Sequence, residues 1–175
     1  MAYINTDDNL IALRRRGLAS EIEAARMSIR QLDAAMAHKR DFAFETTLSS
    51  RHSIRTIERA RTAGYRVGLI YVLLQNVELH MARIRTRVEL GGHFVRDAEV
   101  ARRYHTSLKN LAGHLELFDE GYVIDNSLPD TPRRVIRITS GRVGKLPDFD
   151  RRLDFDNFLW DAFPTGSRLG HSSDT

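Results

Sequence analysis

The chain has no cysteine in its 175 residues. Disulfides, thiolate zinc sites and cysteine nucleophiles are thereby excluded together, and a reducing compartment suits such a chain. Long apolar runs are missing too. No stretch approaches the roughly 20 residues that a bilayer-spanning helix needs. The N-terminus carries Asp7 and Asp8 and no apolar run, so it does not read as a signal peptide. No Gly-x-Ser-x-Gly elbow is present for acyl transfer. His38, His52, His80, His105 and His114 lack metal-ligand spacing, and His93 reads as part of a helix-stop turn. No helix-turn-helix, zinc-finger or RNA-binding signature occurs. Nor is there a large excess of either charge. Lys+Arg 27 against Asp+Glu 23 gives +4 and a pI of about 9.7, which hints at an anionic partner without choosing between nucleotide and nucleic acid. The expectation is a soluble, cytoplasmic, single-domain protein large enough to bury a core.

What is present alternates between apolar strands and amphipathic helices. Ala2-Tyr3-Ile4-Asn5 reads as a short strand end, with a helix after Asp7. Ser20 with Glu23 has capping-box spacing, and Ile22, Ala25, Ile29, Leu32 and Met36 then recur at helical spacing to about Arg40. Phe42 to Thr47 is a short strand, and a basic helix follows to about Ala63, stopped by Gly64. Arg66 to Leu74 is a nearly continuous apolar run, which suits a parallel strand covered on both faces. Val77, Met81, Ile84 and Val88 mark one helix, ended by Gly91-Gly92. Ala101, Tyr104, Leu108, Leu111, Leu115 and Phe118 mark another. Tyr122 to Ile124 is a strand ending in Asp125-Asn126, and Val135 to Ile138 is the last one. Beyond Lys145 the chain turns polar, and Gly170 to Thr175 is expected to fray. The alternation predicts an α/β layer with a mainly parallel sheet. Ligands bind such sheets at the carboxyl ends of the strands. Asn5-Thr6-Asp7, Glu45-Thr46-Thr47 and Asp125-Asn126 all fall there.

Three groups among these residues suit phosphoryl transfer, which asks mainly for positioning and charge. Asp7 is placed to accept the proton of an attacking hydroxyl; equally, Asp7 or Asp8 reads as the cap of the helix that follows. Glu45, in an apolar strand, is costly unless paired or at the rim. It holds substrate hydroxyls, with Thr47 as a second contact, or it faces water. Arg83, Arg85 and Arg87 precede Gly91-Gly92-His93, and Arg102 and Arg103 follow it. Two such helices on a glycine turn form either a mobile lid over phosphates or a solvated face balanced by Glu89 and Glu99. The arginine-rich stretch Ser50 to Arg61 leaves a nucleic-acid contact open.

Taken in order, these residues resemble the zeta-toxin-like family of P-loop kinases, including its branch of predicted ATPases. Ile4-Asn5-Thr6-Asp7 is similar to that family's Ile-Asn-x-Asp strand end, and Phe44 to Ser49 to its Phe-Glu-Thr-Thr-Leu-Ser strand. Ala63-Gly64-Tyr65-Arg66-Val67, the Arg83 to His93 helix and turn, Arg102-Arg103-Tyr104 and Asp125-Asn126 match in sequence order, covering residues 2 to about 140. The resemblance implies a P-loop kinase-like sheet flanked by helices over 1–145, with 146–175 as a tail. It implies transfer of phosphate from ATP with Mg²⁺ to a hydroxyl of a small molecule. Characterised zeta toxins act on UDP-activated amino sugars, and an antitoxin protein is a candidate partner. By the same analogy Asp7 is the general base, Glu45 and Thr47 hold the acceptor, and Arg87 with Arg102 or Arg103 faces the phosphates.

One departure is large. The family opens with a strand and a Gly-x-x-x-x-Gly-Lys-[Ser/Thr] loop upstream of Ile-Asn-x-Asp, and no such loop occurs in these residues. Its amides, lysine and hydroxyl would supply the phosphate cradle. Its strand would lie between the Glu45 strand and the Arg66 to Leu74 strand. Those two strands are therefore expected to lack a neighbour, and the chain to be prone to aggregation. The sequence leaves two further functions open: a non-catalytic remnant that binds a partner or nucleotide, and a basic nucleic-acid binder.

Overall fold

The computed structural model describes residues 1–145 apart from Ala19, His93, Pro129 and Asp130. The readings of His93 and of the tail 146–175 lie outside the described residues. The chain divides into two units, Met1–Thr46 and a second beginning at Thr47.

In the first unit, β1 (Ala2–Ile4) and β2 (Phe42–Phe44) pair in parallel, with Ala2 opposite Phe42 and Ile4 opposite Phe44. Parallel strands need a crossover, and here it is a helical hairpin of α1 (Thr6–Arg15) and α2 (Glu21–Ala37). Ser20 caps α2 by accepting the Glu23 N–H at 3.2 Å. The face that α2 buries is Ala24, Ser28, Leu32 and Ala35. This corrects the expected stripe, since Ile22 is 67% and Ile29 37% exposed. The seam with α1 is built from small and polar side chains. Buried Asn9 of α1 donates to Ser28 Oγ and to Gln31 Oε1, both at 2.9 Å. That polar lock rotates α2 away from its most apolar side, because an unpaired buried amide would cost more than the exposed isoleucines.

The second unit opens with α3 (Arg51–Thr62), which buries Ile54, Ile57 and Ala60. A four-stranded sheet follows in the order β3-β4-β5-β6: β3 (Gly68–Leu73), β4 (Glu120–Asp125), β5 (Arg133–Thr139) and β6 (Arg142–Lys145). β3 and β4 are parallel, joined through α4 (Val77–Glu89) and α5 (Asp97–Gly113), whereas β4, β5 and β6 form an antiparallel meander. The architecture is mixed α/β, parallel where the strand-end residues lie. β6 was not expected from sequence. Its signal is Ser140-Gly141, whose φ values of 48° and 74° make the tight hairpin turn that such strands favour.

One face of this sheet holds the core. Val123, Val135 and Ile136 are fully buried there with Leu108 and Leu111 of α5 and with Phe118. Among the described residues, the β3 part of the opposite face is exposed. Ile70 is 73% and Val72 53% exposed, which corrects the expectation that this strand is covered on both sides. The reason is positional. Side chains alternate across a strand, and among the described residues β3 pairs only with β4. β2 likewise pairs only with β1.

Two features predict measurable stability changes. A Cβ on Gly121, in β4, would lie 2.7 Å from the Leu69 carbonyl oxygen, a backbone atom that cannot swing away. Gly121→Ala is therefore expected to destabilise by about 2 kcal/mol, a fall in melting temperature on the order of 5 °C; an unchanged melt would contradict the packing. The second feature is Asp125, 1% exposed, whose carboxylate accepts from Ser127 and from Arg133 Nη2 at 2.9 Å. Burial pushes its pKa up, but the Ser127 and Arg133 hydrogen bonds outweigh burial and leave it below the usual value. A depressed folded pKa adds stability that is complete above the unfolded value of about 3.9 and is lost as pH falls through the folded value. Asp125→Asn is expected to cost about 3 kcal/mol at neutral pH. In melts at descending pH, the gap to wild type is expected to close below about pH 4.

Candidate active site

β1 runs straight into α1, so the residue at the junction controls both. Asn5 is extended, with φ −129° and ψ 126°, and its Oδ1 accepts the backbone N–H of Asp7 at 2.8 Å and of Asp8 at 3.4 Å. The cap is thus Asn5, which corrects the reading of Asp7 or Asp8 as cap. Without a loop between strand and helix, the last extended residue takes the capping role. The two aspartates fall in the first helical turn, exposed, at the positive end of the helix dipole.

The other end of the same amide reaches β2. Asn5 Nδ2 donates to Glu45 Oε2 at 2.8 Å, and the Tyr3 hydroxyl donates to Glu45 Oε1. The Glu45 backbone N–H continues the strand pairing to the Ile4 carbonyl at 3.2 Å. Parallel pairing therefore brings Tyr3, Asn5 and Glu45 together at the carboxyl ends of β1 and β2. The hydrogen bond to the Glu45 carboxylate, with some burial, holds the Tyr3 hydroxyl above its ordinary pKa. Glu45 is exposed at the rim, which removes the cost of a carboxylate inside an apolar strand. A single amide thus links the start of the Asp7 helix to the Glu45 carboxylate. Tyr3 was missed from sequence. Its signal is the two-residue period that puts Tyr3 and Asn5 on one side of the strand.

Thr47 opens the second unit on a constrained loop. Its hydroxyl is exposed and lies 2.7 Å from Ser49 Oγ. Its carbonyl accepts from Ser107 Oγ at 2.6 Å, and the next carbonyl, of Leu48, accepts from Asn110 Nδ2 at 2.8 Å. Ser107 has its one proton on Thr47, so the Tyr71 hydroxyl, 2.8 Å away, donates to Ser107. Burial pushes Tyr71 up to about 12, so it stays protonated to do so. Leu48 sits at φ +55° with its side chain 2% exposed. A left-handed non-glycine residue costs on the order of 1–3 kcal/mol and persists only where its surroundings over-determine it. Burial of the side chain and the two α5 donors do so here. Ser107 and Asn110 were not singled out from sequence. They stand three apart beside the buried Leu108 and Leu111, the mark of polar groups set into a core-facing helix.

The arginines divide. Arg102 binds Glu99 through Nε and Nη2, both at 2.7 Å, and Arg103 Nε reaches the same carboxylate at 2.6 Å. Those hydrogen bonds, Arg102 first, hold Glu99 down to about 2. Arg85 pairs with Asp97 at 2.5 Å, and Arg83 donates to the Ser127 carbonyl at 3.1 Å. Arg87 is exposed, and its guanidinium has no carboxylate partner among the described residues. Gly91-Gly92 ends α4, with the Gly92 N–H on the Arg87 carbonyl at 2.9 Å. A cleft of about 550 Å³ lies beside this turn, lined by Ile84, Arg85, Val88, Phe94 and Asp97 among others. No α4 residue is fully buried, as suits an element able to move.

Among the described residues, no group of three His, Asp or Glu side chains could hold a metal ion. Asp125, expected at a ligand-facing strand end, is committed to Ser127 and Arg133. No helix of the described residues is long and apolar enough to cross a membrane.

Asn5→Ala is expected to lower stability by about 1 kcal/mol through loss of the cap and to release Glu45. Asn5→Asp keeps an acceptor for the Asp7 N–H but sets a carboxylate against Glu45. A thermal melt that places both variants level with wild type would refute the bridging role.

The comparisons with known proteins follow this geometry. The zeta toxin family matches residues 15–126, most of the second unit's parallel region included, while Asp7 lies upstream of the matched segment. A protein of Haemophilus influenzae described only as uncharacterised is 35% identical over 85 residues, 49% of this chain. The chain spans 61% of that relative's length. No solved structure matches. With well over half of its residues matched, the chain belongs to the zeta toxin family, a group of P-loop kinase-like, ATP-dependent phosphotransferases.

Proposed function

We propose that this chain provides the acceptor side and arginine helices of an ATP-dependent phosphotransferase that modifies a hydroxyl of a small molecule. A UDP-activated amino sugar is the candidate acceptor. Asp7 takes the proton of the attacking hydroxyl, and Glu45 and Thr47 hold the acceptor. Arg87, Arg102 and Arg103 meet the phosphate charge. The observation that carries this reading is the Asn5 amide, which holds the Asp7 N–H and the Glu45 carboxylate at once. A general base must be held in place before its basicity matters. The pinned carbonyls of Thr47 and Leu48 support a positioning role for the second loop in the same way.

The arginines serve by exchange of partners. Arg102 and Arg103, themselves largely exposed, share one half-buried carboxylate, and ion pairs near the surface contribute little to stability. A phosphate, with more acceptor oxygens than Glu99, can therefore draw them away at small cost. Arg87 needs no such release. The phosphate cradle is the task of a glycine-rich loop, so turnover depends on that loop being supplied.

A second reading is favoured by that same dependence: a non-catalytic module that binds acceptor or nucleotide without transfer. Nucleic-acid binding is the weakest reading, because the excess of basic charge is small.

Calorimetric titration with a UDP-N-acetyl amino sugar tests the acceptor site without needing the loop. Binding is expected, weakened about tenfold by Glu45→Gln, as loss of one charged hydrogen bond predicts. Asp7→Asn is expected to leave that binding in place and to lower transfer from Mg-ATP by about 10²–10⁴-fold. Binding without measurable transfer in wild type would select the non-catalytic module. No binding, or binding indifferent to Glu45, would remove the acceptor assignment.

A further inference from the structure

The polar lock with α1 leaves α2 with a second apolar stripe, and this one faces solvent. Ile22 and Ile29 are 67% and 37% exposed, Ala25 is exposed and Met36 is half-buried. Ile22, Ile29 and Met36 stand seven residues apart. Seven residues make nearly two full turns, so the row drifts only about 20° per step and keeps to one side of the helix. Ala25 falls beside it, between Ile22 and Ile29. The buried residues Ala24, Ser28, Leu32 and Ala35 occupy the adjoining side. α2 has 17 residues, a length of about 25 Å, and the stripe runs along most of it. Scattered exposed apolar side chains are ordinary on a protein surface. A heptad-spaced row along one helix is instead the pattern that packs against another helix. Its outer border is charged. Arg26 lies four residues after Ile22, and Asp33 four residues after Ile29, both exposed. Arg26 pairs with Glu23 at 2.7 Å, where both side chains are well exposed, and such a pair is cheap to exchange.

We propose that this stripe is where two copies of the chain associate, α2 against α2, antiparallel about a twofold axis at Ile29. The argument for a second copy is the self-complementarity of the row. Ile22 stands seven residues before Ile29 and Met36 seven after it. Each is therefore about 10.5 Å from the axis along the helix, and Ile22 of one copy meets Met36 of the other. Arg26 stands three residues before Ile29 and Asp33 four after it, about 4.5 Å and 6 Å away. Arg26 of each copy then faces Asp33 of the other, and an arginine side chain easily absorbs the small mismatch. A twofold contact pairs residue i with j and j with i. A cation and an anion at matching distances on either side of a central apolar residue meet that condition. A parallel arrangement would set Arg26 against Arg26 and Asp33 against Asp33. A foreign helix would impose no such symmetry on the charges. The contact is one helix long, below the size of most stable interfaces, so the association is a weak one.

Sedimentation velocity of the full chain between about 1 and 300 µM tests this, with a monomer–dimer dissociation constant on the order of 10 µM expected. Ile29→Lys sets two ammonium groups against each other on the axis and is expected to raise that constant about a hundredfold. Arg26→Asp alone, or Asp33→Arg alone, turns both ion pairs into like-charge pairs and is expected to raise it about tenfold. An equimolar mixture of those two single variants is expected to regain wild-type association, because each aspartate of one chain then meets an arginine of the other. The chain that carries both substitutions is expected to regain it too. All three positions are exposed, so the fold is kept, which circular dichroism checks. A wild-type chain that stays monomeric over this range would overturn the proposal. So would single charge variants that associate as tightly as wild type, or a mixture and a double variant that stay weak. Association into larger species that ignores these substitutions would likewise overturn it.

Discussion

A strand that pairs in parallel with its neighbour must first be carried back to its start, and in this chain helices make both returns. The α1–α2 hairpin returns the chain from β1 to β2, and α4–α5 returns it from β3 to β4. Both crossovers leave the carboxyl ends of paired strands side by side. At β1–β2 that proximity joins Tyr3, Asn5 and Glu45. At β3–β4 it sets Asp125 beside the turn that Ser127 caps. The two strand ends then diverge in chemistry. Glu45 remains at the rim with solvent access, whereas Asp125 is enclosed and neutralised by Arg133. One end holds its carboxylate at the exposed rim through Tyr3 and Asn5, and the other has used its carboxylate to fasten β4 to β5.

Both units use polar side chains to fix backbone that apolar packing alone would leave free. Asn9, Ser28 and Gln31 set the rotation of α2. Ser107 and Asn110 hold the carbonyls of Thr47 and Leu48. Asp119 accepts the Val67 N–H at 2.7 Å and pairs with Arg61 at 3.0 Å, tying the approach to β3 to α3. Such contacts are worth about 1 kcal/mol each when made and more when one partner is lost. They therefore fix local geometry more than they add to total stability.

The arginines behave differently from these anchors. Most of those near the Gly91-Gly92 turn are paired at the surface, where a pair is cheap to exchange. The helix that bears Arg87 buries no residue fully. Under the proposed function, that combination of a helix with no fully buried residue and cations on replaceable partners is what would let these arginines meet an incoming anion.

Local sequence determined much of this protein. Capping residues, helix-stop glycines and apolar runs placed α2, α3, β3, α4 and β4 close to their observed bounds, because those signals act within a few residues, whereas the stripe read for α5 ran on to Leu115 and Phe118, which lie beyond the helix end at Gly113. The order of the polar strand-end residues pointed to the family that the comparison with known proteins then showed. Tertiary structure decided the rest. Whether Asn5 or Asp7 caps α1 turned on the absence of a loop after β1. Which side of α2 is buried turned on Asn9, many residues away in sequence. That Arg102 and Arg103 both settle on Glu99 follows from rotamer choices on one helix face, where several partners lie at helical spacing. The apolar run of β3 reads the same whether a strand is central or at an edge. Burial of Ile70 and Val72 depends on what lies against them, which no pattern within the strand encodes.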